Sequence, residues 1–148
     1  MNYEDHLKRH IEKQAEERAD LEKKLEEEKT AIRVACEEAE KIIQEVIAPE
    51  MEKLEAAIVA VGKTCTLKIS RKKVRRIDSN FEIEISIDHH VTDKLAFTGD
   101  PEERMFAITL RNSRTTHNEP HSVVAYSKIT TEFVSSMCEK FMLMAFPV

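Results

Sequence analysis

The sequence predicts an α+β fold: a long N-terminal helix of coiled-coil type, then a four-stranded antiparallel sheet, then a C-terminal helix packed on that sheet. Three observations carry this. Tyr3 to Ile47 contains no Gly or Pro and is dominated by Glu, Lys, Ala, Leu and Arg, a strongly helical composition. Four later stretches alternate apolar and polar residues with period two, the mark of half-buried strands. The final stretch returns to helical spacing. Two domains follow: residues 1–41 as an oligomerisation helix and 42–148 as a small α+β unit.

The helix places apolar residues at alternating spacings of four and three. The d positions are Leu7, Gln14, Leu21, Glu28, Ala35 and Ile42, and the a positions are Ile11, Arg18, Leu25, Ile32, Ala39 and Val46. This sustained heptad register predicts a coiled coil. A seam this long outruns so small a domain, so an inter-chain partner is expected, with Leu7, Ile11, Arg18, Leu21, Leu25, Glu28, Ile32, Ala35 and Ala39 in the interface. A parallel in-register pair would set Glu17 against Glu22′ and Lys24 against Lys29′, two like-charge contacts. An antiparallel pair sets Leu21 against Leu25′, Ile11 against Ala35′ and Arg18 against Glu28′, although Lys24 then approaches Lys24′. A homodimer, preferably antiparallel, is the expected assembly.

After Ala39 the apolar face broadens, through Ile42, Ile43, Val46, Ile47, Met51, Leu54, Ile58 and Val61, and should pack on a sheet. Pro49 lies inside this face; it either kinks one helix or opens the first turn of a second. Gly62 then caps the helix.

CTLKIS, FEIEISID, MFAITLRN and HSVVAYSK (starting at 65, 81, 105 and 121) are the four expected strands. ITTEFVSSMCEKFMLMAF forms the last helix, capped by Thr130 or Thr131, with Phe133, Met137, Phe141 and Met144 or Ala145 on one face. The order of elements over residues 50–146 is similar to RWD-type modules that terminate coiled coils in kinetochore complexes. The likeness is one of topology, without a shared motif, and topology by itself carries no function.

Chemistry is sparse. No P-loop, dinucleotide fingerprint, nucleophile elbow or HExxH occurs, so no enzyme activity and no cofactor are expected. The DHH run at 88–90 lacks the further acidic motifs of DHH phosphoesterases. His6 and His10 stand four apart on the helix with no third ligand. His89 and His90 follow the second strand, whereas His117 and His121 precede the fourth. In a four-stranded meander those clusters lie at opposite ends of the sheet, so no metal centre is expected. Cys36, Cys65 and Cys138 are odd in number and unpaired in pattern. With no signal peptide and no apolar run of transmembrane length, they point to a reducing cytoplasmic setting and no membrane association.

SRKKVRR at 70–76 is the one charge cluster of note. Read as the tip of a hairpin between the first two strands, it presents Arg71, Lys72, Lys73, Arg75 and Arg76, with Lys68 just upstream on the first strand and Arg111 and Arg114 as an extension if their loop lies alongside. The cluster could contact phosphates or an acidic protein surface. The whole chain has a net charge of −5, which disfavours bulk affinity for nucleic acid. Residues 1–62 hold 17 acids and 10 bases, so the acidic surface is available within the protein itself. Stacking aromatics, the usual companion of a nucleic-acid patch, are missing. The expected function is therefore a non-enzymatic assembly protein that self-associates through its helix and binds a protein partner with its sheet domain. The alternatives are a nucleic-acid-associated factor using residues 68–76, or a small-molecule-binding protein or enzyme whose site forms between subunits.

Overall fold

The computed structural model describes residues 2–74, 77–88, 90–112 and 122–147. Helix α1 spans Tyr3–Ile42. The Asn2 side chain caps it, accepting from the Glu4 and Asp5 amides at 3.1 and 3.3 Å, which satisfies two of the donors every helix start leaves unpaired. One π-helical stretch, Ile43–Ile47, joins α1 to α2, Ala48–Ala60. The backbone stays helical throughout, and the Ala48 amide donates to the Ile43 carbonyl five residues back. That widened turn lies just ahead of Pro49, which has no amide to offer Glu45. The proline is thus absorbed by a local change of hydrogen-bond step, one of the recognised ways a helix passes a proline. Gly62 ends α2 at φ +83°, a left-handed conformation that costs residues with a Cβ about 1 kcal/mol or more.

The sheet has five strands, one more than the sequence pattern suggests: β1 Cys65–Val74, β2 Ile77–Ile87, β3 His90–Asp100, β4 Met105–Arg111 and β5 Ser122–Ala125. They form an antiparallel meander in sequence order. The additional strand is β3. Its alternation is broken because Leu95, Ala96 and Phe97 are consecutive apolar residues, and Gly99 shares the inward face with Leu95 and Phe97. The fifth strand also departs from the four-stranded layout on which the likeness to RWD-type modules rested.

Register defines the two faces. Leu67↔Ile85, Ile85↔Leu95, Leu95↔Leu110 and Phe97↔Ile108 share the inner face. Helices α2 and α3 (Thr131–Ala145) lie on it side by side, α2 over β1 and β2 and α3 over β3. The core joins Ile43, Ile47, Met51 and Ile58 from the long helix to Ile83, Ile85, Phe97, Phe106 and Ile108 from the sheet and Val134, Met137 and Phe141 from α3. Each such side chain contributes about 1.5–3 kcal/mol by leaving water. Thr130 is the α3 cap, its hydroxyl accepting from the Phe133 amide at 3.2 Å. Between β5 and α3, a 3₁₀ turn at Tyr126–Lys128 inserts the Tyr126 ring, 5.0 Å from that of Phe106.

The turn between β3 and β4, within TGDPEE, is held by Asp100, whose carboxylate accepts from the Glu102 and Glu103 amides at 3.0 and 3.4 Å. Arg104 closes it at φ +51°.

Candidate functional site

Three features stand apart from the core: the projecting part of α1, the basic edge of the sheet, and a cavity at the sheet's far end.

The helix leaves the domain at its N-terminal side. None of the described residues before Ala35 is buried, and Ile32 is half-buried. Leu7, Ile11, Leu21 and Leu25 are 58%, 63%, 59% and 48% exposed. They share the heptad stripe and rise along a helix arm about 45 Å long. Such a helix has little to hold it in water on its own. Its ion pairs, Glu4–Lys8 at 3.4 Å and Glu26–Lys29 at 3.8 Å, are exposed and contribute a few tenths of a kcal/mol each.

The same stripe then turns onto the protein's own sheet. Ala35 and Ala39, expected in an inter-chain seam, are each 1% exposed. A Cβ placed on Gly99 would stand 3.4 Å from the Ala39 Cβ, so the small residues bring the helix directly against β3. The helix therefore meets the sheet ahead of the 41/42 boundary expected from pattern. The surface open to another chain ends near Ile32, and an Ile11–Ala35′ contact is not available. Arg18 and Glu28 both lie on the open part of the stripe and are exposed.

Most of the basic cluster is strand. SRKKV continues β1 to Val74, with a register shift between Lys72 and Lys73. β3 pairs with β2 from Glu82 onward, so the outer part of the β1–β2 hairpin overhangs the rest of the sheet beside α1. β1 is an edge strand, and cations along an edge oppose strand-to-strand pairing with other chains. Arg71 turns inward. Its guanidinium donates to Glu40 Oε1 at 2.9 Å and lies 4.9 Å from the Phe81 ring centroid. Lys68 is exposed on the opposite face, across from Glu84 in register; Glu84 itself pairs with Lys94 at 3.7 Å. Lys72 and Lys73 belong to the β1 backbone, and Arg75, Arg76 and Arg114 lie outside the described residues. Arg111 does not extend the cluster: it pairs with Lys94 in register, at the other end of the sheet and on the other face from Arg71.

The fifth strand also changes the histidine geometry. β4 ends at Arg111 opposite Lys94, and β5 starts at Ser122 opposite Ile108. These anchors stand at the end of the sheet where β2 passes to β3, so the four-stranded meander on which the expected separation rested is not the one present. His89, His117 and His121 lie outside the described residues. Among the described residues no group of three or more His, Cys, Asp or Glu is placed to hold a metal ion, and no helix is long and apolar enough to cross a membrane.

The three cysteines form no disulfide. Burial pushes each thiol above its usual range, assisted by Glu37 at Cys36 and by Glu55 and Asp88 at Cys65. At Cys138 burial and then Glu50 raise it to about 11. This is the reverse of the shift that makes a cysteine nucleophilic at neutral pH.

The cavity, about 510 Å³, opens between the ends of α2 and α3 and the β2–β3 connection. Sequence pattern gave no sign of it, since its walls come from four separate elements. No protein-family model matches the chain, and comparisons with curated proteins and with solved structures give no significant match.

Proposed function

We propose that this protein is a non-enzymatic assembly module whose projecting helix pairs with the same helix of a second copy and whose sheet domain presents a surface to a protein partner. The supporting observation is the row of Leu7, Ile11, Leu21 and Leu25, large apolar side chains about half exposed or more on one heptad stripe of a helix that no other described element covers. A row of this kind gains most by burial against a like surface.

An antiparallel pair suits the charges. It sets Leu21 against Leu25′ and places Arg18 beside Glu28′, matching the two charges that interrupt the stripe. Because Ala35 and Ala39 lie under the protein's own sheet, the overlap runs from Gln14 to Ile32, and Leu7 and Ile11 reach toward the partner's domain. Sedimentation equilibrium of the full chain should give twice the chain mass; a monomer at tens of micromolar would remove the proposal. Orientation is read by mixing Arg18→Cys and Glu28→Cys proteins under mild oxidation. The antiparallel arrangement yields a mixed 18–28′ disulfide, whereas a parallel one yields 18–18′ and 28–28′.

A second reading, phosphate binding, draws on one observation: Lys68, Arg71, Lys72 and Lys73 share a single edge strand. Arg71 is already engaged by Glu40, and Phe81 is buried, so no described aromatic beside the strand is free to stack on a base. Protein–protein assembly is the better supported of the two.

A further inference from the structure

The long edge of the sheet is open. β1, Cys65–Val74, forms one border of the meander. The Asp88 amide donates to the Thr64 carbonyl, and this pair continues the register in which Cys65 faces Ile87. In an antiparallel ladder, residues that exchange hydrogen bonds alternate with residues whose backbone groups point away. Thr66, Lys68 and Ser70 therefore bond to β2, whereas the amides and carbonyls of Cys65, Leu67, Ile69 and Arg71 point off the sheet. None of these outward groups has a backbone partner among the described residues. The open row is about 20 Å long.

The side chains along the row define what would fit beside it. On the inner face Cys65 and Leu67 are half-buried, and Ile69 is 54% exposed, so the helices cover β1 only in part. A large apolar side chain left open on a long edge strand marks a place for another strand. On the outer face Thr66 and Lys68 are exposed. Lys68 makes no ion pair among the described residues, since Glu84 opposite it pairs with Lys94. Lys72 and Lys73 follow on the same strand. A second copy of β1 would bring a strand of like charge alongside, which is unfavourable. A strand with acids on its outer row and apolar residues on its inner row complements both faces.

We infer that β1 is a docking edge that takes an extended acidic segment of a partner protein as a sixth strand. Main-chain hydrogen bonds to Cys65, Leu67, Ile69 and Arg71 supply the affinity, while Lys68 and Ile69 select the alternation of acidic and apolar residues. The inference rests on the reading of the sheet domain as the part that binds a partner, and it does not require the helix to pair.

The experiment is an amide NMR titration of the full chain with a blocked seven-residue peptide of alternating Glu and Val. A Lys and Val alternation and a peptide with the same Glu and Val residues in two blocks are the controls. The alternating acidic peptide should give saturable shifts along residues 65–71 with Kd below about 1 mM, and the controls should not. Hydrogen exchange at the Leu67 and Ile69 amides should slow on binding, whereas the Lys68 amide, already bonded to β2, should change little. Lys68→Glu should weaken binding about fivefold. Ile69→Pro removes an outward amide without breaking the β2 ladder and should abolish binding. Absence of saturable shifts up to about 10 mM, an equal response to the lysine peptide, or shifts without slowed exchange at Leu67 and Ile69 would overturn the inference. If Ile69→Pro fails to fold, unchanged affinity in Lys68→Glu would overturn it equally. Slowed exchange at the same amides that grows with protein concentration in the absence of peptide would show that the occupant is a second copy, and the inference would fall. Sedimentation of the same samples separates this result from self-association: a dimer that ignores the peptide removes the docking edge alone, and a monomer that binds it removes only the pairing of helices.

Discussion

Arg71 holds Glu40. The guanidinium of the edge strand donates to the helix carboxylate at 2.9 Å while resting over Phe81, and the pair ties the overhanging hairpin to α1 where the helix leaves the domain. Both side chains keep solvent access, so the ion pair alone is modest, and the ring contact adds a comparable amount. Glu40→Ala should cost about 0.5 kcal/mol in urea unfolding and Arg71→Ala about 1 to 1.5 kcal/mol, because only the arginine loses both contacts. Equal costs would show that the ring contact contributes nothing. A double-mutant cycle isolates the ion pair.

The open stripe of α1 gives the second prediction. Leu21→Asp with Leu25→Asp puts two carboxylates at the centre of the overlap, where they would have to be desolvated on pairing. Light scattering should show a mass falling from dimer to monomer. The sheet domain should stay folded, because both positions lie well outside the core. Retention of the dimer mass would place the interface elsewhere.

The long helix, the inner parts of β1 and β2, β4, the short β5 and α3 were legible from the spacing of their apolar residues, whereas the outer parts of β1 and β2, from Arg71 to Val74 and from Ile77 to Asn80, are polar and charged and read as a hairpin tip. β3 was not: Gly99 on its inner face, Ala96 on its outer face and the bulge before Lys94 erase the alternation a strand usually shows. The missing strand then propagated, since an odd number of strands between the histidine clusters predicts opposite ends of the sheet and an even number the same end. The heptad register failed differently. It runs unbroken through Ala35 and Ala39, and sequence pattern cannot distinguish a stripe facing another chain from one facing its own sheet. Small residues at those two positions were the available signal, since alanine permits a close helix–sheet approach. The cavity had no linear signature, because Lys63, Asp88, Asp93 and Phe146 come together only in three dimensions.

Tyr126 yields a third prediction. Its hydroxyl is buried with no hydrogen-bond partner among the described residues, and burial, then Cys36, Asp100 and Glu38, push its pKa well up. Cys138, raised to about 11 from 9.0, shifts in the same direction. Both groups bind their protons more tightly when folded, so their contribution is fully present below the unfolded values and is lost as pH rises through the folded ones. Stability should therefore fall from about pH 9, by roughly 2 to 3 kcal/mol across the Cys138 window to pH 11, with Tyr126 adding its loss from pH 10 upward. Tyr126→Phe removes an unsatisfied hydroxyl and should be neutral or stabilising at pH 7 by up to about 1 kcal/mol. It should also flatten the decline above pH 10. Destabilisation by more than that would mean that the hydroxyl has a partner.

The basic edge separates three physical roles with one set of variants. Arg71 is left intact, since it holds Glu40, and Lys72, Arg75 and Arg76 are changed to Gln. The acidic first half of the chain, including Glu26, Glu27 and Glu28 on the exposed arm, is the surface such cations would meet when two copies assemble. Neutralisation should then weaken assembly several-fold at about 20 mM salt. It should have little effect at about 0.5 M, where the Debye length is roughly 4 Å. Edge protection predicts the opposite sign: with the cations gone, strands pair and larger species grow with concentration. Phosphate binding predicts a third result, in which the unmodified protein retards a labelled oligonucleotide with steep salt dependence, the variant does not, and assembly is unchanged. Sedimentation at the two salt concentrations beside a gel-shift titration distinguishes all three. Growth of large species, or tight oligonucleotide binding at physiological salt, would sink the acidic-contact reading.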